Sequence, residues 1–221
     1  MSQIHIKLSE PEGHLPLCSS HFWGNPDLPL GFGYPTYLDS DGDPCEYRFL
    51  CQINLADLAS CDVGNLLPHK GLLSFFAKID NYLGEYEEFS LGGFISGPDD
   101  VKVLFFPEVG LPGMDTVFVE KVLVDEDDNP VNSGELKMNF SATAFKDCWE
   151  EHAVLAEPTH REWETWDYPF EDWLVLLQVD SFSGKDFNLN FMDCGVLDFL
   201  ISPKDLSMRN FNDVRAIVLS T

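Results

Sequence analysis

Two distant stretches of this chain share one pattern, and the pattern limits the folds open to it. Phe49-Leu50-Cys51-Gln52-Ile53-Asn54-Leu55 is an apolar run carrying one glutamine, with Asn two positions on. Leu176-Leu177-Gln178-Val179-Asp180 repeats the arrangement, with Asp in place of Asn. Each is followed by a second run that opens on glycine: Gly71-Leu72-Leu73-Ser74-Phe75-Phe76, and Gly195-Val196-Leu197-Asp198-Phe199-Leu200. The spacing from glutamine to glycine is 19 residues in the first case and 17 in the second. A run as short as Phe49 to Ile53, apolar on both faces, is a strand covered on both sides rather than an exposed edge. The recurrence predicts one supersecondary unit used twice.

A chain of 221 residues can bury an ordinary apolar core. With 44% hydrophobic residues and 18 Phe it does not have the composition of a disordered chain. Its charge is the outlier, 13 Lys and Arg against 38 Asp and Glu, a net −25. Such a surface repels phosphate backbones and anionic lipid, so neither nucleic acid nor a membrane is an expected partner. A basic protein would be steered toward it. The six cysteines include no C-x-x-C pair, the N-terminus has no apolar signal-peptide core, and no run is long enough for a membrane helix. These features predict a cytoplasmic protein with reduced thiols.

Along the chain, residues 11 to 47 are broken by prolines, and Asp39 to Asp43 reads as a turn. Strands are predicted at Phe49–Ile53, Leu72–Ile79, Val101–Phe106, Val117–Val124, Glu135–Phe140, Trp173–Val179, Val196–Ile201 and Val214–Leu219. Leu55 to Ala59 is a short helix capped by Asn54. Ser202-Pro203 opens another, with serine as N-cap and proline at the first helical position. One longer helix is predicted from Phe145, Cys148, Trp149, His152, Ala153 and Ala156 at helical spacing, stopped by Pro158. Trp149 and Trp173 are then core residues. The fold class is α+β, strand-rich, with few helices. Two similar β-rich repeats, about 20–110 and about 135–221, pack into one compact body, a single domain over 1–221.

The order of several pieces resembles the YwqG-like family, a mostly bacterial domain of unknown function. The pieces are Trp23-Gly24-Asn25-Pro26-Asp27-Leu28-Pro29, Tyr34-Pro35, the two runs around Gln52 and Gly71, the Gln178 run through Ser181, Asp193-Cys194-Gly195 through Ile201, and Asp205-Leu206 through Phe211. The family has Gly-Gly where Trp23-Gly24 stands and Trp where Tyr34 stands. The resemblance implies an α+β fold with internal duplication and no established reaction. Through relatives encoded beside toxin genes, it also implies an antitoxin-like role as one option.

The chemistry-bearing residues are few. Gln52 and Gln178 are amides inside apolar strands, where an unpaired amide costs about 1–3 kcal/mol. Each is expected to bond backbone across the interface of the repeats. Alternatively Gln52, Asn54, Gln178, Asp180 and Asp193 line a ligand pocket between the repeats. Asp193 has the chemistry of a general base or of a turn cap. Trp163 and Trp166, in a charged irregular segment, are candidates for partner binding. The six histidines lack zinc spacing, the Asp39–Asp43 run lacks the calcium-loop glycine and glutamate positions, and no nucleotide or nucleophile motif is present, so no metal or cofactor is expected. The leading expectation is a non-enzymatic acidic module that engages a basic protein. The alternative is a small-molecule or hydrolytic site in the cleft between the repeats.

Overall fold

The computed structural model describes residues 3–85, 94–109, 116–125, 127–132, 134–158 and 169–219. The first five strands are β1 (Ile4–Ser9), β2 (His21–Phe22), β3 (Asp27–Pro29), β4 (Thr36–Leu38) and β5 (Pro44–Glu46). Then come β6 (Arg48–Asn54), helix α1 (Leu55–Leu58), β7 (Leu72–Ala77), β8 (Val101–Phe106), β9 (Phe118–Glu120) and β10 (Leu136–Ser141). The last are β11 (Ala153–Val154), β12 (Leu174–Asp180), β13 (Phe182–Ser183), β14 (Asn188–Leu189), β15 (Val196–Ile201), helix α2 (Pro203–Met208) and β16 (Arg215–Leu219).

Ten of the strands form one antiparallel sheet in the order β16-β15-β12-β11-β1-β10-β2-β6-β7-β8. Its two edges are drawn together. Ser96, just before β8, donates its N–H to Ala216 O on β16 at 2.7 Å, and Ala216 N–H returns to Ser96 Oγ at 2.9 Å. The sheet is thereby nearly closed around its main core. Phe75 meets Phe199 edge-on at 5.3 Å there, and Phe105 meets Phe211 at 5.2 Å. Each such ring pair adds about 0.5–1.5 kcal/mol beyond the area it buries.

Outward from the central β1–β10 pair, the two flanks carry the same pairing pattern. On β6, Gln52 faces His21 of β2 and Ser74 of β7. On β12, Gln178 faces Ala153 of β11 and Asp198 of β15. Both long strands slip register by one residue, at Leu50 and at Leu176. The carbonyl of each slipped residue is taken by a residue at positive φ, Trp23 (φ 61°) at 2.6 Å and Leu155 (φ 52°) at 3.1 Å. A bulge leaves one carbonyl off the ladder, and a left-handed turn in the adjoining segment supplies its donor.

The two short helices sit where their capping residues put them. Asn54 accepts from Ala56 N–H at 3.1 Å, and Ser202 accepts from Asp205 N–H at 3.0 Å with Pro203 next in line.

The longer helix expected over 145–156 does not form. Residues 145–152 are turn and irregular backbone, and Ala153–Val154 is strand β11. The reason is tertiary: Ala153 and Val154 pair with β1 on one side and β12 on the other, and Ile6 N–H takes His152 O at 2.9 Å. Leaving the backbone of β1 and β12 unpaired in the sheet outweighs the tenths of a kcal/mol in helix propensity. Trp149 accordingly lies 93% exposed rather than in the core. Trp173 is partly buried against Phe170, at 4.9 Å.

Candidate functional site

The glutamines and their acidic or amide neighbours act as clamps on the segments beside them. Gln178 Nε2 donates to Glu151 O at 2.7 Å, Asp180 Oδ2 accepts from Glu151 N–H at 2.8 Å, and Asp180 N–H donates to His152 Nδ1 at 3.0 Å. Three bonds from β12 thus fix residues 151 and 152 beside it. The other flank repeats the device. Gln52 Nε2 donates to Ser19 O at 3.0 Å, Asn54 N–H to Ser20 Oγ at 2.9 Å, and Asn54 Nδ2 to Cys18 O at 3.0 Å.

The five residues expected around one pocket are not brought together. Gln52 and Asn54 stand on β6 and Gln178 and Asp180 on β12, with four strands of the sheet between them. Gln52 alternates with Cys51 and Ile53, which enter the main core, and Gln178 alternates with Leu177 and Val179, which do the same. Both amides therefore face the outer side of the sheet, away from the core the flanks share. For Gln52 the expected bond across the flanks is corrected: its partners are Ser19 and Asp27, on its own side of the sheet, and Gln178 holds the Glu151 carbonyl beside β12. Asp193 is exposed in the turn before β15. Trp163 and Trp166 lie outside the described residues.

What the clamp on β12 does is present a loop. Beside it opens a cavity of about 320 Å³, walled by Phe145, Cys148, Trp149, Glu150 and Glu151, with Gln178 and His5 behind. Cys148 Sγ lies 3.2 Å from Glu150 Oε2, and burial and that carboxylate push the thiol up from its usual range. At the rim Lys7 Nζ lies 6.0 Å from the Phe145 ring centre and 3.6 Å from Asp147. A cation already uses this wall, between an aromatic face and a carboxylate. The sequence carried a signal for the loop in Trp149 followed by Glu150 and Glu151. The apparent helical spacing hid it.

Two titratable groups are buried behind the loop. His152 Nδ1 accepts a hydrogen bond, so the ring is neutral with its proton on Nε2, which is buried without a partner. Burial lowers its pKa to about 4, against an opposing pull from Glu150. Asp198, fully buried on β15 opposite Gln178, has neither carboxyl oxygen hydrogen-bonded. Burial first, and Glu151 second, raise its carboxyl well above the usual range.

Asp198 therefore holds its proton to higher pH in the native state than in the unfolded chain, which ionises near pH 4. Its contribution is intact below about pH 4 and is lost as pH climbs toward the raised native value, by up to about 1.4 kcal/mol per pH unit. Asp198→Val, set between Val196 and Leu200 of the same outer cluster, removes the cost. The variant should gain about 1–3 kcal/mol at pH 8 and less at pH 4, measured by urea unfolding at both. A variant less stable than wild type at pH 8 overturns this.

Among the described residues no group of three His, Cys, Asp or Glu side chains is arranged to hold a metal ion, and no helix is long and apolar enough to cross a membrane. A family model described as a domain of unknown function, DUF1963, matches residues 20–218. The chain belongs to this family. The DUF1963 match takes in both flanks, the β12 clamp and the loop it presents. No curated protein matches the chain.

Proposed function

We propose that this DUF1963 protein is a non-enzymatic binding module. It engages a basic protein by taking a cationic side chain into the cavity beside residues 148–151. The carrying observation is the pairing of exposed Trp149 and half-buried Phe145 with Glu150 and Glu151 on a loop clamped from β12. Aromatic faces and carboxylates together suit a lysine or arginine side chain, at about 0.5–2 kcal/mol for the aromatic part. The net charge of −25 would steer such a partner in. The residues that carry the YwqG-like resemblance fall inside the matched span, which supports reading the family as the YwqG-like one. A cytoplasmic, bacterial and antitoxin-like setting goes with that reading. The matched flanks support a duplicated β-rich unit behind the whole.

The test is capture from native lysate on the immobilised protein at roughly 50 mM and 500 mM salt, a change that shrinks the Debye length severalfold. A basic protein should be retained at low salt and released at high salt. With Trp149→Ala combined with Glu150→Gln and Glu151→Gln, retention at low salt should fall about tenfold or more. Retention that ignores both salt and these substitutions rules the reading out. Saturation of the same cavity by a small free amine, with no protein captured, would turn it to a small-molecule site.

A further inference from the structure

A second cavity, of about 410 Å³, lies where the loop between α1 and β7 meets α2, so that one wall comes from each flank. It is independent of the acidic cavity and opposite to it in character. Its polar lining is Asn65 and His69 from the loop and Ser207 and Arg209 from the helix end. His69 is oriented by a buried carboxylate: Asp62, 5% exposed, accepts from Leu67 N–H at 2.8 Å and from His69 Nε2 at 3.3 Å. That leaves Nδ1 without a described partner. Among the described residues Arg209 makes no ion pair, so its guanidinium is open to a ligand.

The backbone at Arg209 sharpens the point. It closes α2 in the left-handed region, φ 57° and ψ 33°, the position that glycine fills most cheaply at helix ends. The terminal carbonyls are already capped, Leu206 O by Arg209 N–H at 3.0 Å and Asp205 O by Asn210 N–H at 2.9 Å. The guanidinium is therefore not needed by the helix. Asn65, across the cleft, is also left-handed, with φ 50°. Non-glycine residues held in this region cluster at functional sites.

We infer that this cleft binds an oxyanion, a phosphate- or carboxylate-bearing small molecule, seated on the Arg209 guanidinium with the His69 ring beside it. The planar fork of arginine matches both groups in two-point contact. When the ring carries both protons, Nδ1–H supplies the further donor while Nε2–H keeps its bond to Asp62.

The probe is inorganic phosphate, titrated calorimetrically. A parallel titration with acetate separates a phosphate ligand from a carboxylate one. Wild type should bind at least one of the two. Arg209→Gly should weaken that binding about tenfold or more, the usual loss for a charged hydrogen bond, and His69→Gln should weaken it less. Arg209→Gly also relieves the left-handed backbone, so the variant should melt no lower than wild type, which separates lost binding from lost fold. Wild type that binds neither anion, or an Arg209→Gly protein that binds as well as wild type, overturns the inference.

Discussion

Replacing Gln52 by leucine should cost about 3–5 kcal/mol of folding stability, although leucine has nearly the right volume and greater hydrophobicity. Gln52 is fully buried and satisfied by three bonds. Its Nε2 donates to Ser19 O and, at 2.7 Å, to Asp27 Oδ2, while its Oε1 accepts from Asp27 N–H at 2.9 Å. Asp27 is itself 5% exposed, and of the two donors on its Oδ2, Cys18 N–H and Gln52, the substitution removes one. Each buried polar group left unpaired costs about 1–3 kcal/mol, and more where it is charged, so the losses exceed the apolar gain. Gln178→Leu should cost less, about 1–2 kcal/mol, because Gln178 lines a cavity through which water can reach the freed Glu151 carbonyl. Urea unfolding of the two variants checks the ranking. Equal losses, or a Gln52→Leu protein as stable as wild type, contradict it.

The long strands were legible because their signal is local. Four apolar residues and one glutamine from Phe49 to Ile53, and five apolar residues and one aspartate from Val196 to Ile201, admit little but strands buried on both faces, and both formed. The strand expected over Val117–Val124 shortened to Phe118–Glu120, the three residues that find partners on β3. The helix caps at Asn54 and Ser202 were equally local. The segment 145–156 failed because a helical spacing of apolar residues also arises where a loop gives way to a strand. Which backbone donors β1 and β12 leave open is a nonlocal fact that no window of sequence contains.

The same limit governed the sites. Gln52 and Gln178 were correctly singled out as polar residues inside apolar strands, but their partners, Ser19, Asp27 and Glu151, lie 25 or more residues away or on unpredicted turns. Trp149 was misplaced with the helix that was to bury it. Asp198 stood in plain view within an apolar run, and its absent partners are visible only in three dimensions.

Among the described glycines, Gly195→Ala should be the most damaging single methyl, at about 3–5 kcal/mol. A Cβ at Gly195 would lie 2.2 Å from Leu219 O on β16 and 3.0 Å from Phe191 O, both backbone atoms. No side chain can turn aside to relieve the contact, so the β15–β16 pair must separate. Gly195 also anchors the turn through its carbonyl, which accepts from Ser181 N–H at 3.2 Å and from Ser181 Oγ at 2.7 Å. The glycine that opens β7 meets the same obstacle. A Cβ at Gly71 would lie 2.7 Å from Phe106 O on β8, and Leu55 N–H takes the Gly71 carbonyl at 2.9 Å. Leu219 and Phe106 correspond, since Val196 pairs with one as Leu72 pairs with the other. Gly71 carries a φ of 104° as well, so its alanine variant adds backbone strain to a gentler clash. Gly13→Ala, with nothing within 4 Å, is the control and should stay within about 0.5 kcal/mol of wild type. Thermal unfolding of the three variants tests the argument. If Gly195→Ala melts with the control, then the two glycines that open the matched runs owe their place to something other than the neighbouring strand's backbone.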